Sequence, residues 1–179
     1  MLHLDATKFK LAEAQFFYAK LCGVGGRVVV QKPEEFHFYL SAFLSAGRSV
    51  SFALQAEQKD NYDAWFPEWK AALSKDQATL LANFNEERIA TVHRKGARVA
   101  HGEDLISGAE YLAAASLEGS NIEISGPLGV PLPTFRKVVR SFSFDGAPSE
   151  VVQSSGEYLA LIHKLVADFE NHYASSTAP

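Results

Sequence analysis

Apolar residues recur at a spacing of three and four through the first half of the chain, which is the pattern of helices that bury one face. The first predicted helix begins at Asp5 or Thr7, either of which can cap it, and ends at the glycines of residues 23–26. Pro33 opens the longest predicted helix, which runs to about Gln58. Its apolar stripe consists of Phe36, Leu40, Phe43, Gly47, Val50 and Leu54. Because small residues flank this stripe and let neighbours approach closely, we expect this helix to be central.

Two further helices follow from the same spacing. The third covers residues 62–73 and contains three large aromatic side chains, Trp65, Phe66 and Trp69. Aromatic residues at i, i+4 positions of a helix are typical of core packing, so we interpret them as packing residues. Asp76 is the expected cap of the fourth helix, which runs towards Gly96.

The segment 97–147 has a different sequence pattern, because glycines and prolines separate short runs of alternating apolar and polar residues. Alternation occurs over residues 111–117, 121–124 and 138–144. A period of two with turn residues between the runs is typical of strands. The segment therefore predicts a small antiparallel sheet or hairpin.

The predicted fold is a single domain over residues 1–179, mainly α in class. It is an up-and-down antiparallel helical bundle, with a small β-rich insertion before the last helix. The bundle covers about residues 5–96 and 149–172, and the insertion covers about 97–147. The closing helix starts at residue 148 or 149, and its apolar face is formed by Tyr158, Leu161, Ile162, Leu165 and Phe169.

Composition narrows the class of protein. Apolar residues make up 47% of the 179 residues and the formal net charge is −4, which favours a globular domain and excludes a broad basic surface for nucleic acid. Cys22 is the single cysteine, so no internal disulfide can form. No signal peptide or membrane span is recognisable, and no histidine pair has metal-ligand spacing. We expect a soluble cytoplasmic protein without cofactor, metal or membrane partner.

Arg88 lies in the apolar stripe of the fourth helix, between Phe84 and Val92. A guanidinium keeps its charge, so a buried arginine requires a carboxylate, a phosphate or a subunit boundary. A carboxylate from another helix, Glu13 or Glu57, is the structural alternative. A second structural alternative is that the Arg88 guanidinium extends into solvent while its aliphatic chain packs in the core.

His93 follows Arg88 by five residues and titrates near neutral pH, so it can carry a proton. An anion-binding side chain and a proton carrier on one helix indicate work on a phosphate. The alternative for His93 is structural, because His93, Arg94 and Lys95 before Gly96 form the cationic last turn of a helix.

A compact helical bundle with Arg88, four intervening residues and His93 late in a helix resembles the HEPN superfamily of nucleotide-binding domains. The resemblance covers about residues 5–96 and 149–172. It implies a homodimer in which two copies of the motif share one cleft, with metal-independent endoribonuclease activity and an antitoxin-type protein partner. By the same resemblance, Arg88 would hold the scissile phosphate and His93 would move protons of the ribose 2′-hydroxyl or the leaving oxygen.

Three more residues complete the predicted site as substrate-binding groups. Arg48 belongs to a polar line on the long helix, which can border a pocket and also contains His37, Ser41 and Gln55. Glu86 is close to His93 in helical angle and can orient its imidazole, and Arg94 adds a cation. Each of these three also has a structural explanation as a solvated or helix-capping side chain.

Ile89 stands where active members of the HEPN superfamily commonly carry a polar residue. The leading hypothesis is therefore a HEPN-like domain that binds RNA or a nucleotide phosphate, with metal-independent cleavage of RNA left open. The alternative is a non-catalytic dimerisation or protein-interaction module with a degenerate motif.

Overall fold

The computed structural model describes residues 2–25, 33–93, 98–117, 134–144 and 147–175. Within these ranges the chain forms six helices, α1 (Asp5–Gly25), α2 (Pro33–Glu57), α3 (Lys59–Ala71), α4 (Lys75–His93), α5 (Gly108–Leu117) and α6 (Val151–Ser175). It also forms three strands, β1 (Val99–Ile106), β2 (Phe135–Phe144) and β3 (Ala147–Glu150), which make one antiparallel sheet in the order β1-β2-β3. The prediction of a mainly α protein with a small antiparallel sheet is confirmed. None of the helices in these ranges is long and apolar enough to cross a membrane.

Helix α2 lies at the centre and contacts α1, α3, α4 and α6. All six residues of its predicted stripe are buried, namely Phe36, Leu40, Phe43, Gly47, Val50 and Leu54. The close approach is visible at Gly47, where an added Cβ would lie 2.7 Å from the Tyr158 ring of α6. The small side chain at this position is therefore what lets α6 pack against α2.

Helix α1 runs opposite to both α2 and α6. Its first turn is held by Glu57 at the end of α2, and its last residue, Gly25, lies against Phe36 near the start of α2. Lys8, near the start of α1, pairs at 2.8 Å with Glu170, near the end of α6. Helix α1 is thus antiparallel to both of the helices that it packs against.

Two clusters of buried side chains hold the elements together. The larger cluster surrounds Phe43 and contains Phe84, Tyr158 and Phe142. Because Phe142 belongs to β2, this cluster also attaches the sheet to the helices. The second cluster consists of Leu4, Leu54, Tyr62, Trp65, Trp69, Leu161, Leu165 and Phe169. Both tryptophans are buried in it, as predicted, while Phe66 packs against it and is half-buried.

Helix α4 begins at Lys75 because Ser74 caps it, and the prediction of Asp76 as the cap is wrong. The Gln77 N–H donates to the Ser74 hydroxyl at 3.2 Å, while the Ser74 N–H donates to the Gln77 side-chain oxygen at 3.1 Å. This reciprocal pair is a capping box. Asp76 lies inside the first turn, where its negative charge faces the positive end of the helix dipole.

The β-rich interpretation of residues 97–147 is correct for one of its three alternating runs. Residues 138–144 lie in β2, whereas 121–124 lie outside the described residues. Residues 111–117 belong to α5, so the strand predicted there is wrong. Ser107 and Glu110 form a second capping box that starts this helix, and alanine, the best helix former, follows it.

The closing helix also begins later than predicted. Pro148 and Ser149 pair with β2 as part of β3, and α6 starts at Val151. The Ser154 hydroxyl donates to the Glu150 carbonyl at 2.8 Å at this junction. The predicted apolar face of the helix is confirmed, because all five of its residues are buried, namely Tyr158, Leu161, Ile162, Leu165 and Phe169.

Candidate functional site

A cavity of about 310 Å³ lies between α2, α3, α4 and α6, and two of the predicted site residues, Arg48 and Glu86, line it. Its wall is completed by Gly47, Ser51, Phe66, Trp69, Lys70, Ala78, Leu81, Ala82, Asn85, Tyr158, Leu161, Ile162 and Leu165. The cavity forms because the large side chains of α3 and α6 pack against the small residues of α2. The fold thus converts the small-residue face of the long helix into a concave site.

Arg48 is the main cation of this cavity. Its side chain is half-buried, and its guanidinium lies 4.2 Å from the centroid of the Phe52 ring. One nitrogen, Nη1, donates to the Ser51 hydroxyl at 3.0 Å. No ion pair joins Arg48 to a carboxylate of the described residues. The guanidinium therefore keeps donors that an anion can accept.

A second, smaller cavity of about 230 Å³ lies on the other side of Arg48 and Phe66. Gln55 and Asp63 line it, and the Gln55 side-chain amide donates to the Asp63 carboxylate at 2.6 Å. Lys59 pairs with the same carboxylate at 3.1 Å. Asp63 thus has two side-chain partners, and Arg48 lines both cavities.

Aromatic rings of α3 form one wall of the larger cavity. The Phe66 and Trp69 rings are stacked, with centroids 5.7 Å apart and 23° between their planes. Tyr62 extends the stack beyond Phe66, with centroids 4.7 Å apart. The Trp69 indole N–H donates to the Asp168 carboxylate at 2.8 Å, so the ring is held in place. A flat apolar group can lie against such a fixed wall.

Tyr158 closes the cavity at the α6 side and keeps its hydroxyl protonated. Burial raises the pKa of Tyr158 to about 12, against a smaller opposite effect from the Arg48 charge. Burial likewise raises the pKa of Tyr62 to about 12, again opposed by Arg48. The cavity therefore contains the Arg48 and Lys70 cations, a neutral phenol, the Asn85 amide and the Glu86 carboxylate.

Arg88 lies on α4 away from this cavity. Its side chain is half-buried, and its Nε atom is buried without a hydrogen-bond partner among the described residues. The two carboxylates considered as partners are engaged elsewhere, since Glu13 pairs with Lys10 and Glu57 binds the first turn of α1. Among the described side chains of α4, the fully buried charge is Glu87, one residue before Arg88, at 1% exposure.

His93 is the last residue of α4, and its side chain lies outside the described residues, as does all of Arg94. Glu86, the predicted orienting group of His93, is exposed and lies 3.6 Å from the Arg98 guanidinium. The described residues thus bring Arg48 and Glu86 together in one cavity. The predicted pairing of Arg88 with His93 stays a prediction.

The polar residues Lys70, Asn85 and Tyr158 line the cavity and were not among the predicted site residues. Lys70 and Asn85 resemble ordinary exposed helix residues, and Tyr158 was assigned to an apolar face. Helical angle alone gave no signal for them, because they meet only after three helices pack. Among the described residues, no group of three or more histidine, cysteine or acidic side chains could hold a metal ion.

Comparison of the chain with protein-family models, curated proteins and solved structures gives no match.

Proposed function

We propose that the protein binds a nucleotide in the cavity between α2, α3, α4 and α6. In this proposal Arg48 and Lys70 hold the phosphate, and the Phe66 and Trp69 rings stack on the base. The single observation that carries the proposal is Arg48, a half-buried guanidinium without a carboxylate partner among the described residues, in one cavity with a fixed aromatic wall. The HEPN-like character of the domain is part of the same proposal.

The size and chemistry of the cavity support a ligand of mononucleotide dimensions. A volume of about 310 Å³ lies at the lower end of the range of small-molecule sites, which is roughly 300–1,000 Å³. Stacking of a base on an aromatic side chain contributes about 1–3 kcal/mol. Charge-assisted hydrogen bonds from arginine bind phosphate strongly because the planar guanidinium presents two parallel donors. The Asn85 amide and the Glu86 carboxylate offer hydrogen bonds to a base or ribose.

Titration with adenosine monophosphate, followed by tryptophan fluorescence, tests this proposal. Trp69 lines the cavity and Trp65 does not, so the fluorescence change reports the site. Arg48→Met keeps the length of the side chain and removes its charge. Since hydrogen bonds to charged groups contribute about 1.5–3 kcal/mol, we expect affinity to fall by a factor of about 10–100.

Arg136→Met is the matched control, because Arg136 is an exposed arginine that pairs with Glu103 at 2.7 Å on the sheet. We expect this variant to bind like the wild type. Adenosine without phosphate should bind the wild type and Arg48→Met equally weakly. If adenosine monophosphate does not bind the wild type, or binds it and Arg48→Met equally, the cavity is not a nucleotide site.

A second candidate function is cleavage of RNA at a boundary between two copies of the chain. It is favoured by the buried Nε of Arg88, which lacks a partner among the described residues, and by the neighbouring Ile89, which is 41% exposed. A second copy that covers Ile89 would bring a phosphate of bound RNA against Arg88. In this proposal His93 of each copy moves the proton of the ribose 2′-hydroxyl or of the leaving oxygen.

Cleavage of a mixed RNA pool in EDTA, together with the mass of the protein in solution, tests the second candidate. We expect a dimer that leaves cyclic phosphate ends, with activity lost in Arg88→Ala and in His93→Ala. Activity that is equal in all three proteins would identify a contaminating nuclease. A monomeric wild type would exclude the shared cleft.

A further inference from the structure

Arg140 of β2 is a buried cation whose charge is not balanced by any described residue. Its side chain is 5% exposed, and its guanidinium carbon lies 4.4 Å from the centroid of the Phe36 ring. Its Nε atom is buried and has no hydrogen-bond partner among the described residues. Burial lowers the pKa of Arg140, and no neighbouring carboxylate in that part of the chain raises it. Buried charges in proteins are paired or bind an ion, so this guanidinium calls for an anion.

Two imidazoles lie next to this guanidinium. His101 of β1 is the register partner of Arg140 across the sheet, and its ring centroid lies 5.7 Å from that of His37 on α2. Burial lowers the pKa of His37, and the charges of His101 and Arg140 lower it further, whereas Glu34 acts in the opposite direction. Three groups that can be positively charged thus converge from three different elements.

The cluster can be reached by a ligand from solvent. His101 is exposed and His37 is half-buried, while Arg140 lies at the back against Phe36. Burial therefore increases across the cluster, from the exposed His101 imidazole to the enclosed Arg140 guanidinium. Such an arrangement can admit an anion at the His101 side and pair it with Arg140.

We propose that Arg140, His37 and His101 form a binding site for a phosphate group. A guanidinium presents several donors in one plane, and each imidazole offers a ring N–H. A tetrahedral oxyanion presents oxygens in several directions, so it can accept from side chains that approach from three different elements. None of the three residues lines the cavity that contains Arg48, so this site is separate from the proposed nucleotide site.

Thermal unfolding of the wild type and Arg140→Met in inorganic phosphate tests the site, with chloride of the same ionic strength as reference. A ligand that binds only the folded protein lowers the unfolding constant by the factor 1 + [L]/Kd. For a Kd of about 1 mM, phosphate at about 10 mM lowers it about elevenfold. We expect this effect in the wild type and a much smaller one in Arg140→Met, in which only the Arg48 cavity can still bind the ion. Glycerol 3-phosphate in a parallel series shows whether a phosphate ester enters as well as the free ion.

Two controls separate this site from others. Arg136→Met removes an exposed arginine from the same strand, and Arg48→Met removes the cation of the cavity; both should keep the phosphate effect of the wild type. In NMR spectra of the imidazoles, phosphate should shift the signals of His37 and His101. The exposed His3 should not respond.

Phosphate that leaves the wild type unchanged would overturn the proposal and would indicate that the chain supplies its own anion to Arg140. An equal effect in the wild type and Arg140→Met would overturn it too, since binding would then occur elsewhere. If Arg140→Met does not fold, His101→Gln decides, because this side chain is exposed. A phosphate affinity at least threefold weaker in His101→Gln supports the site, and an unchanged affinity refutes it.

Discussion

The ion pair between Glu87 and Arg98 joins α4 to the chain that enters the sheet, and removing either partner should have unequal effects on stability. The Glu87 carboxylate accepts hydrogen bonds from the Arg98 backbone N–H and from its Nε–H, both at 2.9 Å, and lies 2.8 Å from Nη2. Glu87 is 1% exposed, whereas the Arg98 side chain is 54% exposed. Water can therefore replace the carboxylate around Arg98, but it cannot reach Glu87.

The difference in exposure between Glu87 and Arg98 determines how much stability each substitution removes. Arg98→Ala leaves a buried carboxylate with one backbone N–H, and stranding a buried charge costs about 3–5 kcal/mol. We expect about 3 kcal/mol, because the remaining N–H still binds the carboxylate and the exposed arginine head is screened by solvent. Glu87→Gln keeps the size and one acceptor oxygen while Arg98 rehydrates, so we expect about 1–2 kcal/mol.

Urea unfolding, followed by circular dichroism, measures both variants. The control is Arg136→Ala, which breaks an exposed pair with Glu103 whose two side chains are 73% and 56% exposed. Exposed pairs contribute about 0–1 kcal/mol, so we expect this control to change little. The reasoning fails if Arg98→Ala costs no more than the control, or less than Glu87→Gln.

Two further predictions concern the C-terminal end of α2, at Glu57, and its middle, at Gly47. Burial acts to raise the pKa of Glu57, but hydrogen bonds from the Thr7 hydroxyl and the N–H groups of Ala6 and Thr7 outweigh it and place the pKa below 4.5. This stabilisation is present above the pKa of the unfolded state and is lost as the pH falls through the pKa of the folded state. We expect Glu57→Gln to lower the free energy of unfolding by about 1 kcal/mol at neutral pH. In urea titrations this difference from the wild type should vanish at acidic pH. In Gly47→Ala, the new Cβ would lie 2.7 Å from Tyr158, which stacks on Phe84 with centroids 4.4 Å apart, so a shift of the ring would disturb this stack. The overpacking, about 1–3 kcal/mol, should exceed the helix-propensity gain of about 1 kcal/mol and lower the thermal midpoint; a raised midpoint would contradict this.

The central helix was predictable because one periodicity governs it from end to end. Its apolar stripe repeats over about five turns without a charged residue, so the sequence contains the buried face directly. Helix α4 is different, because leucines and alanines lie on several sides and the apolar stripe is ambiguous. The stripe drawn through Arg88 is rotated by about one residue from the buried face, which contains Phe84, Glu87 and Ala90. Glu87 was missed because a carboxylate on that face makes sense only with Arg98 in contact.

The error at residues 111–117 has a similar origin. Alternation was inferred there from alanines, which fit either face of a strand and also fit a helix. The stronger local signal was Ser107 with Glu110 three residues later, which matches a capping box and indicates a helix start. Capping chemistry is local and can be read from the sequence, whereas strand register is not. The pairing of His101 with Arg140 depends on the register of β1 against β2, so the sequence could not predict it.

The two proposed anion sites lie along the same helix, yet they should act independently. Arg48 and His37 are eleven residues apart on α2, which corresponds to about 16 Å along the axis. The Debye length at physiological ionic strength is about 8 Å, so each charge is largely screened from the other in solvent. Sites at this separation usually have additive effects. In Arg48→Met/Arg140→Met, the losses of nucleotide and phosphate binding should therefore each equal the loss in the single variant. A ligand whose affinity falls more than additively would have to span both sites.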